Sequence, residues 1–277
     1  MQIDELTTKF FAWNARNRAP ATLAFYRARL KKFCAAYNGR DLASLTPLEI
    51  DEHVADAGAG MSDTTRHHNA VALERLQKFA IQNKLLDKPV FGILEKPRTG
   101  RRDRIPTLAE TEALLALASP VFRRIYLALR QCGARPGELS RATIADVDRA
   151  KRVIILKEHK TVRKTGQSRY IPVGRKLAEM LDQAIGGRTA GPVFLSPSGR
   201  GWRVGNLSRT YSRLRDLAGL PKDLVLYLAR HECGTKICRE KGIEYARRLL
   251  GHTNISTTQR YMHLDDEELA DAQDLID

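Results

Sequence analysis

Four short segments in the second half of the chain hold residue types suited to work on an anionic substrate. Gly133-Ala134-Arg135-Pro136-Gly137-Glu138-Leu139 sets an arginine three positions before a carboxylate. Tyr227-Leu228-Ala229-Arg230-His231 groups a phenol, a guanidinium and an imidazole, and Leu249-Leu250-Gly251-His252 is followed nine residues later by Tyr261. A polar stretch between two β-branched runs contributes Lys160 and Lys164. Each segment alone is weak: an arginine at a helix start ordinarily lies on the surface, and a tyrosine near a C-terminus ordinarily packs. Taken together they match what a side-chain nucleophile needs to cleave a phosphodiester: an activated hydroxyl, donors for the extra negative charge, and a proton for the departing oxygen. A phenol of pKa about 10 is a better nucleophile than serine and forms a more reversible ester. Guanidiniums grip non-bridging oxygens as planar forks, which lysine cannot do.

Charge narrows the substrate. The 277 residues carry 47 Lys and Arg against 32 Asp and Glu, a net +15. Seven of those acids lie in residues 265–277, which hold no Lys or Arg, so residues 1–264 set 47 basic groups against 25 acids and stand at +22. A body so basic calls for a polyanionic partner, and nucleic acid is the leading one. A membrane surface fits less well, because the basic residues run along the whole chain instead of flanking an apolar helix face. No stretch approaches the roughly 18 apolar residues of a membrane helix, and none resembles a secretory signal. Cys34, Cys132, Cys233 and Cys238 form no C-x-x-C pair. Idle thiols in a reducing compartment are expected, rather than a metal site built from Cys233, Cys238 and His231, and with them a cytoplasmic, nucleoid-associated protein. His67, His68 and His231 are read as structural.

The elements that must position these residues divide in two. Residues 1–96 read as a small helical domain: Leu23, Tyr26, Leu30, Phe33 and Tyr37 form one stripe, with Arg27, Arg29, Lys31 and Lys32 between them. Thr46-Pro47 reads as a helix start, and a further helix runs from Ser62 to about Asn83, with Arg66, His67 and His68 near its beginning. Residues 97–106, rich in Pro, Gly and basic side chains without apolar periodicity, are a linker. Residues 107–277 open on the capping box Thr107-Leu108-Ala109-Glu110 and pass through a helix stopping at Gly133. A β-hairpin over residues 152–156 and 169–173 follows, then helices near Lys176, Leu207 and Tyr227, and an acidic amphipathic C-terminal segment.

In this order the segments resemble the tyrosine recombinase (phage integrase) family over nearly all of residues 107–264. The resemblance implies a mainly α fold with a small β-sheet: an N-terminal helical (SAM-like) core-binding domain and a C-terminal α+β catalytic domain. It makes Arg135 and Arg230 the two arginines of the site, His252 the histidine of the L-G-H box, Tyr261 the nucleophile and Glu138 a supporting acid. The hairpin lysine, the expected general acid, is Lys160 on the H-K-T reading or Lys164 on the K-T-G-x-x-x-x-I-P spacing, with Lys160 preferred because hairpin lengths vary. Tyr227 departs from the family, which usually has histidine there. A phenol still donates a hydrogen bond to a phosphate oxygen but brings no positive charge. The resemblance further implies double-stranded DNA as partner, a 3′-phosphotyrosyl intermediate at Tyr261 and a homo-tetramer on synapsed DNA sites. Two arginines can replace the cations that many phosphoryl-transfer enzymes use, so neither a metal nor another cofactor is expected. The competing readings are a type IB topoisomerase and a DNA-binding accessory or regulatory protein with a decayed site.

Overall fold

The computed structural model describes residues 1–100, 104–157 and 166–262. Lys160, Lys164 and the acidic C-terminal segment lie outside the described residues. The chain divides into two compact units, Met1–Arg101 and Arg102–Asp277.

The first unit is built from α1 (Ile3–Asn17), α2 (Pro20–Ala36), α3 (Pro47–Gly58) and α4 (Asp63–Gln82). Helical spacing decides what each buries: Ile3, Leu6 and Phe10 of α1 meet Leu30 and Phe33 of α2 and Leu73, Leu76 and Phe79 of α4 in one core. Phe10 sits edge-on to both Tyr26 and Phe79, at centroid distances of 4.9 and 5.3 Å. The start read at Thr46-Pro47 is a full capping box, Glu49 N–H to Thr46 Oγ1 at 3.2 Å and Thr46 N–H to Glu49 Oε2 at 2.8 Å. The basic stripe of α2 is not uniformly solvated. Lys32 Nζ donates to the Ala57 carbonyl at the end of α3 (3.0 Å), and Arg27 and Arg29 lie over the rings of Phe11 and Phe25. His67 Nδ1 meets the Pro97 carbonyl at 3.2 Å, and His68 packs edge-on to Phe25, where burial pushes its pKa down. Both serve the packing of this unit.

The second unit sets helices around a small antiparallel sheet of order β1-β2-β3: β1 (Val147–Asp148), β2 (Val153–Leu156) and β3 (Arg169–Pro172). β1 was not apparent from sequence, since two residues carry no period. The β2–β3 register pairs Leu156 with Arg169 and Ile154 with Ile171. The helices are α5 (Leu108–Ala116), α6 (Pro120–Cys132), α7 (Pro136–Leu139), α8 (Arg175–Ile185), α9 (Val204–Leu217), α10 (Leu228–Lys241) and α11 (Ile243–Leu250). Buried Phe122, Ile125, Tyr126 and Leu129 make α6 part of a core shared with Ile154, Ile171, Leu177, Leu181, Leu207 and Tyr211. α6 ends at Gly133, whose φ of 59° suits a residue without Cβ. The same glycine admits the Leu250 side chain, which would lie 2.8 Å from an added Cβ. Among the described residues, no helix is long and apolar enough to cross a membrane.

Candidate active site

The sharp turn between α6 and α7 presents Arg135 as the residue before Pro136, the first residue of α7. Its guanidinium Nη1 donates to Glu138 Oε1 at 2.7 Å and its backbone N–H to Oε2 at 3.0 Å. Burial alone would raise the Glu138 carboxyl. The Arg135 backbone and guanidinium, with Arg169 nearby, outweigh it and hold the group below the usual carboxylate range.

Arg230 stands in the first turn of α10 and is fully buried. Nη1 donates to the Gly133 carbonyl (2.7 Å) and Nη2 to that of Leu250 (2.8 Å), so one side chain joins the turn before Arg135 to the turn before His252. Nη2 also lies 2.9 Å from His252 Nε2, and His252 Nδ1 lies 2.9 Å from Thr258 Oγ1. A guanidinium can only donate, so Nε2 is the accepting nitrogen and the ring proton sits on Nδ1, facing Thr258. Arg230 Nε is buried without a hydrogen-bond partner among the described residues.

Tyr261 ends a 3-10 turn, Gln259–Tyr261, and is 1% exposed. Its ring stacks on His252 (centroids 6.0 Å apart, planes 10° apart) and meets His231 at 5.2 Å. Tyr227, His231, Gly234 and Cys238 are spaced by four, three and four, so they share one stripe of α10. That stripe is the seat of the Tyr261 ring: Cys238 shares its small apolar cluster, and a Cβ on Gly234 would come 3.0 Å from Tyr261 Cε1. Tyr227, 38% exposed, stands at the open end of the stripe with its ring 5.4 Å from His231.

The structure therefore brings together Arg135, Arg230, His252 and Tyr261 with Glu138, and sets Tyr227 at the rim; Lys160 lies outside the described residues. His231, read from sequence as structural, is buried as expected, yet it touches the candidate nucleophile. Its i+4 spacing from Tyr227 was the available signal. Arg169 was missed. It is buried at the start of β3 with a pKa lowered to about 10, by burial first and by the neighbouring Arg230 and Arg135, against the pull of Glu138. A charged residue at an inward strand position was its signal. Cys132, Cys233 and Cys238 are buried free thiols, with pKa values raised by burial. No group of three or more His, Cys, Asp or Glu among the described residues could hold a metal.

The model of the phage integrase family matches residues 107–268. The chain belongs to the phage integrase family. Among curated proteins, this integrase-family chain is 28% identical to a tyrosine recombinase XerC of Chromohalobacter salexigens, over 92% of this chain and 90% of that one. Among solved structures it shares its fold with a lambda integrase (75-356) dimer bound to a COC' core site (TM-score 0.77, 17% identity, 93% of this chain and 97% of that one). It also shares its fold with a lambda integrase tetramer bound to a Holliday junction (TM-score 0.79, 16% identity, 97% and 81%).

Proposed function

We propose that this integrase-family chain is a site-specific recombinase that breaks and rejoins duplex DNA through a 3′-phosphotyrosyl intermediate at Tyr261. The observation that carries the reading is the Arg230–His252 hydrogen bond with the Tyr261 ring stacked upon it. In the reaction the Tyr261 Oη–P bond forms as the P–O5′ bond breaks. Arg135 and Arg230 stabilise the added negative charge on the non-bridging oxygens, each at on the order of 3 kcal/mol in the transition state. His252 Nε2 takes the phenolic proton once Arg230 Nη2 turns to the phosphate. Lys160 (or Lys164) protonates the departing 5′-oxygen, and Tyr227 donates a hydrogen bond to the phosphate. The guanidiniums supply the charge that a divalent cation supplies elsewhere, so the reaction runs without metal. Tyr261 and Arg230 are buried, so DNA binding draws residues 255–262 outward before attack.

The first unit binds the duplex. Its groove of about 570 Å³ carries Arg18, Arg75 and Lys78 beside Trp13 and Tyr26, suited to phosphates. The lambda integrase tetramer bound to a Holliday junction supports an assembly of four protomers on synapsed DNA sites here, with the acidic segment of residues 265–277 docking on a neighbour. The test starts by selecting bound DNA from a random pool, then incubates the chain with a nicked suicide duplex of the winning sequence. A denaturant-resistant adduct is expected, lost in Tyr261→Phe while binding persists. Binding without any adduct would favour a DNA-binding accessory protein instead.

A further inference from the structure

Arg169 occupies a position that the proposed reaction does not use. Alternation along β3 turns Arg169 and Ile171 inward and leaves Tyr170 and Pro172 exposed. The guanidinium donates to the carbonyls of Tyr170 and Leu249. Its Nε lies 4.0 Å from Glu138 Oε2 and is buried with no hydrogen-bond partner among the described residues. The guanidinium also lies against Gly251, where an added Cβ would sit 2.8 Å from Cζ.

These contacts join three parts of the site. The last carbonyls of an α-helix have no partner within the helix. At the end of α11, Arg169 takes the Leu249 carbonyl and Arg230 takes that of Leu250. Guanidiniums from two elements thus hold the turn that leads into His252. On its other side Arg169 faces Glu138, whose carboxylate is engaged by Arg135. When the Arg135 guanidinium turns to a phosphate, Glu138 Oε1 loses its charged partner and only the Arg135 N–H to Oε2 remains, which is costly for a buried carboxylate. The unfilled Nε of Arg169, 4.0 Å from Oε2, is the neighbouring charged donor that can close on the carboxylate and compensate.

We infer that Arg169 is a positioning residue: it holds the His252 turn against the Arg135–Glu138 pair and takes over Glu138 when Arg135 engages the substrate. This rests on the recombinase reading above. It also ties the site to the first strand residue after the hairpin connection, so hairpin register and His252 placement are set together.

The experiment compares adduct formation and DNA affinity for Arg169→Met, Glu138→Gln and the double variant, on the duplex that traps the unsubstituted chain. A displacement of reacting groups by about 1 Å costs on the order of 100-fold. Arg169→Met is expected to lose about that factor in adduct rate while its Kd stays within about 3-fold, because Arg169 positions the reacting groups and is not itself a DNA contact. The double variant is expected to lose less than the product of the two single losses, because the Arg169–Glu138 contact is common to both. Arg169→Lys, which keeps the charge and can fill the space if the Met variant does not fold, should retain part of the rate. A wild-type adduct rate in Arg169→Met, or losses that multiply in the double variant, overturns the inference. No adduct from the unsubstituted chain overturns the recombinase reading instead.

Discussion

Arg230 spends its terminal nitrogens on the Gly133 and Leu250 carbonyls and on His252, so it is a structural joint as well as a candidate catalytic group. Arg230→Ala leaves two buried carbonyls unpaired and opens a cavity. The expected loss is about 3 kcal/mol or more of folding stability, read from urea unfolding, together with loss of the adduct. Tyr227 gives a sharper test, because it stands at the rim and is 38% exposed, whereas Arg230 is fully buried. Tyr227→His would place an imidazole at the position where the sequence resemblance implies histidine. Adduct formation should rise, and the gain should be larger near pH 6 than near pH 8, since a free imidazole with pKa about 6.5 carries its charge only on the acidic side. An equal gain at both pH values would show that the ring acts by hydrogen bonding alone. Glu138 has a folded-state pKa below its unfolded value. Its contribution to stability is therefore complete above about pH 4.3 and is lost as pH falls from there through the folded value. The unfolding midpoint of Glu138→Gln should decline less over that acid window than that of the unsubstituted chain.

At the scale of elements, the site depends on where helices stop. Gly251 ends α11 with φ of 65°, and the Arg169 guanidinium occupies the space a Cβ would take. Gly251→Ala should cost about 1–3 kcal/mol from backbone strain alone and displace Arg169 as well, measurable as a lower Tm. Gly234 shows the opposite balance. Alanine there is favoured by helix propensity by about 1 kcal/mol, yet its Cβ would meet the Tyr261 ring at 3.0 Å and Leu250 Cδ1 at 2.9 Å. Gly234→Ala should unseat Tyr261, detectable as faster chymotrypsin cleavage after that residue. Helix starts and stops were legible in advance because their chemistry is local: Thr46, Ser62 and Thr107 accept from backbone N–H groups three residues on, and Gly133 ends α6. α11 was not foreseen. It is eight residues long and its apolar stripe is short, while the L-G-H segment drew attention as a motif rather than as the end of a helix.

For the whole molecule, the net charge of +15 and the cationic groove of the first unit bear on binding. Affinity for DNA should fall by about 10³–10⁵ between about 50 and 200 mM salt if 6–10 phosphates are neutralised. A flat response would mean that the basic surface serves solubility only. Deleting residues 265–277 should abolish cooperative assembly on DNA while single-site binding persists, observable as loss of the slower species in a mobility-shift titration.

The order of the A-R-P-G-E-L, Y-L-A-R-H and L-G-H segments and the tyrosine nine residues on was enough to indicate the family and the residue types available for chemistry, and local caps marked several of the helices, because motifs and caps are encoded over a few neighbouring positions. What those residues touch could not be read from them. Arg230 reaches Gly133 across 97 positions and Leu250 across 20, and Arg169 reaches Leu249 across 80. Such pairings follow from how α6, α10, α11 and β3 pack, and burial inverts ordinary expectations: a guanidinium normally exposed becomes the fully enclosed joint of the site. That Tyr261 rests on an imidazole and a glycine of α10 was likewise decided by packing, since only the folded chain brings that stripe beneath its ring.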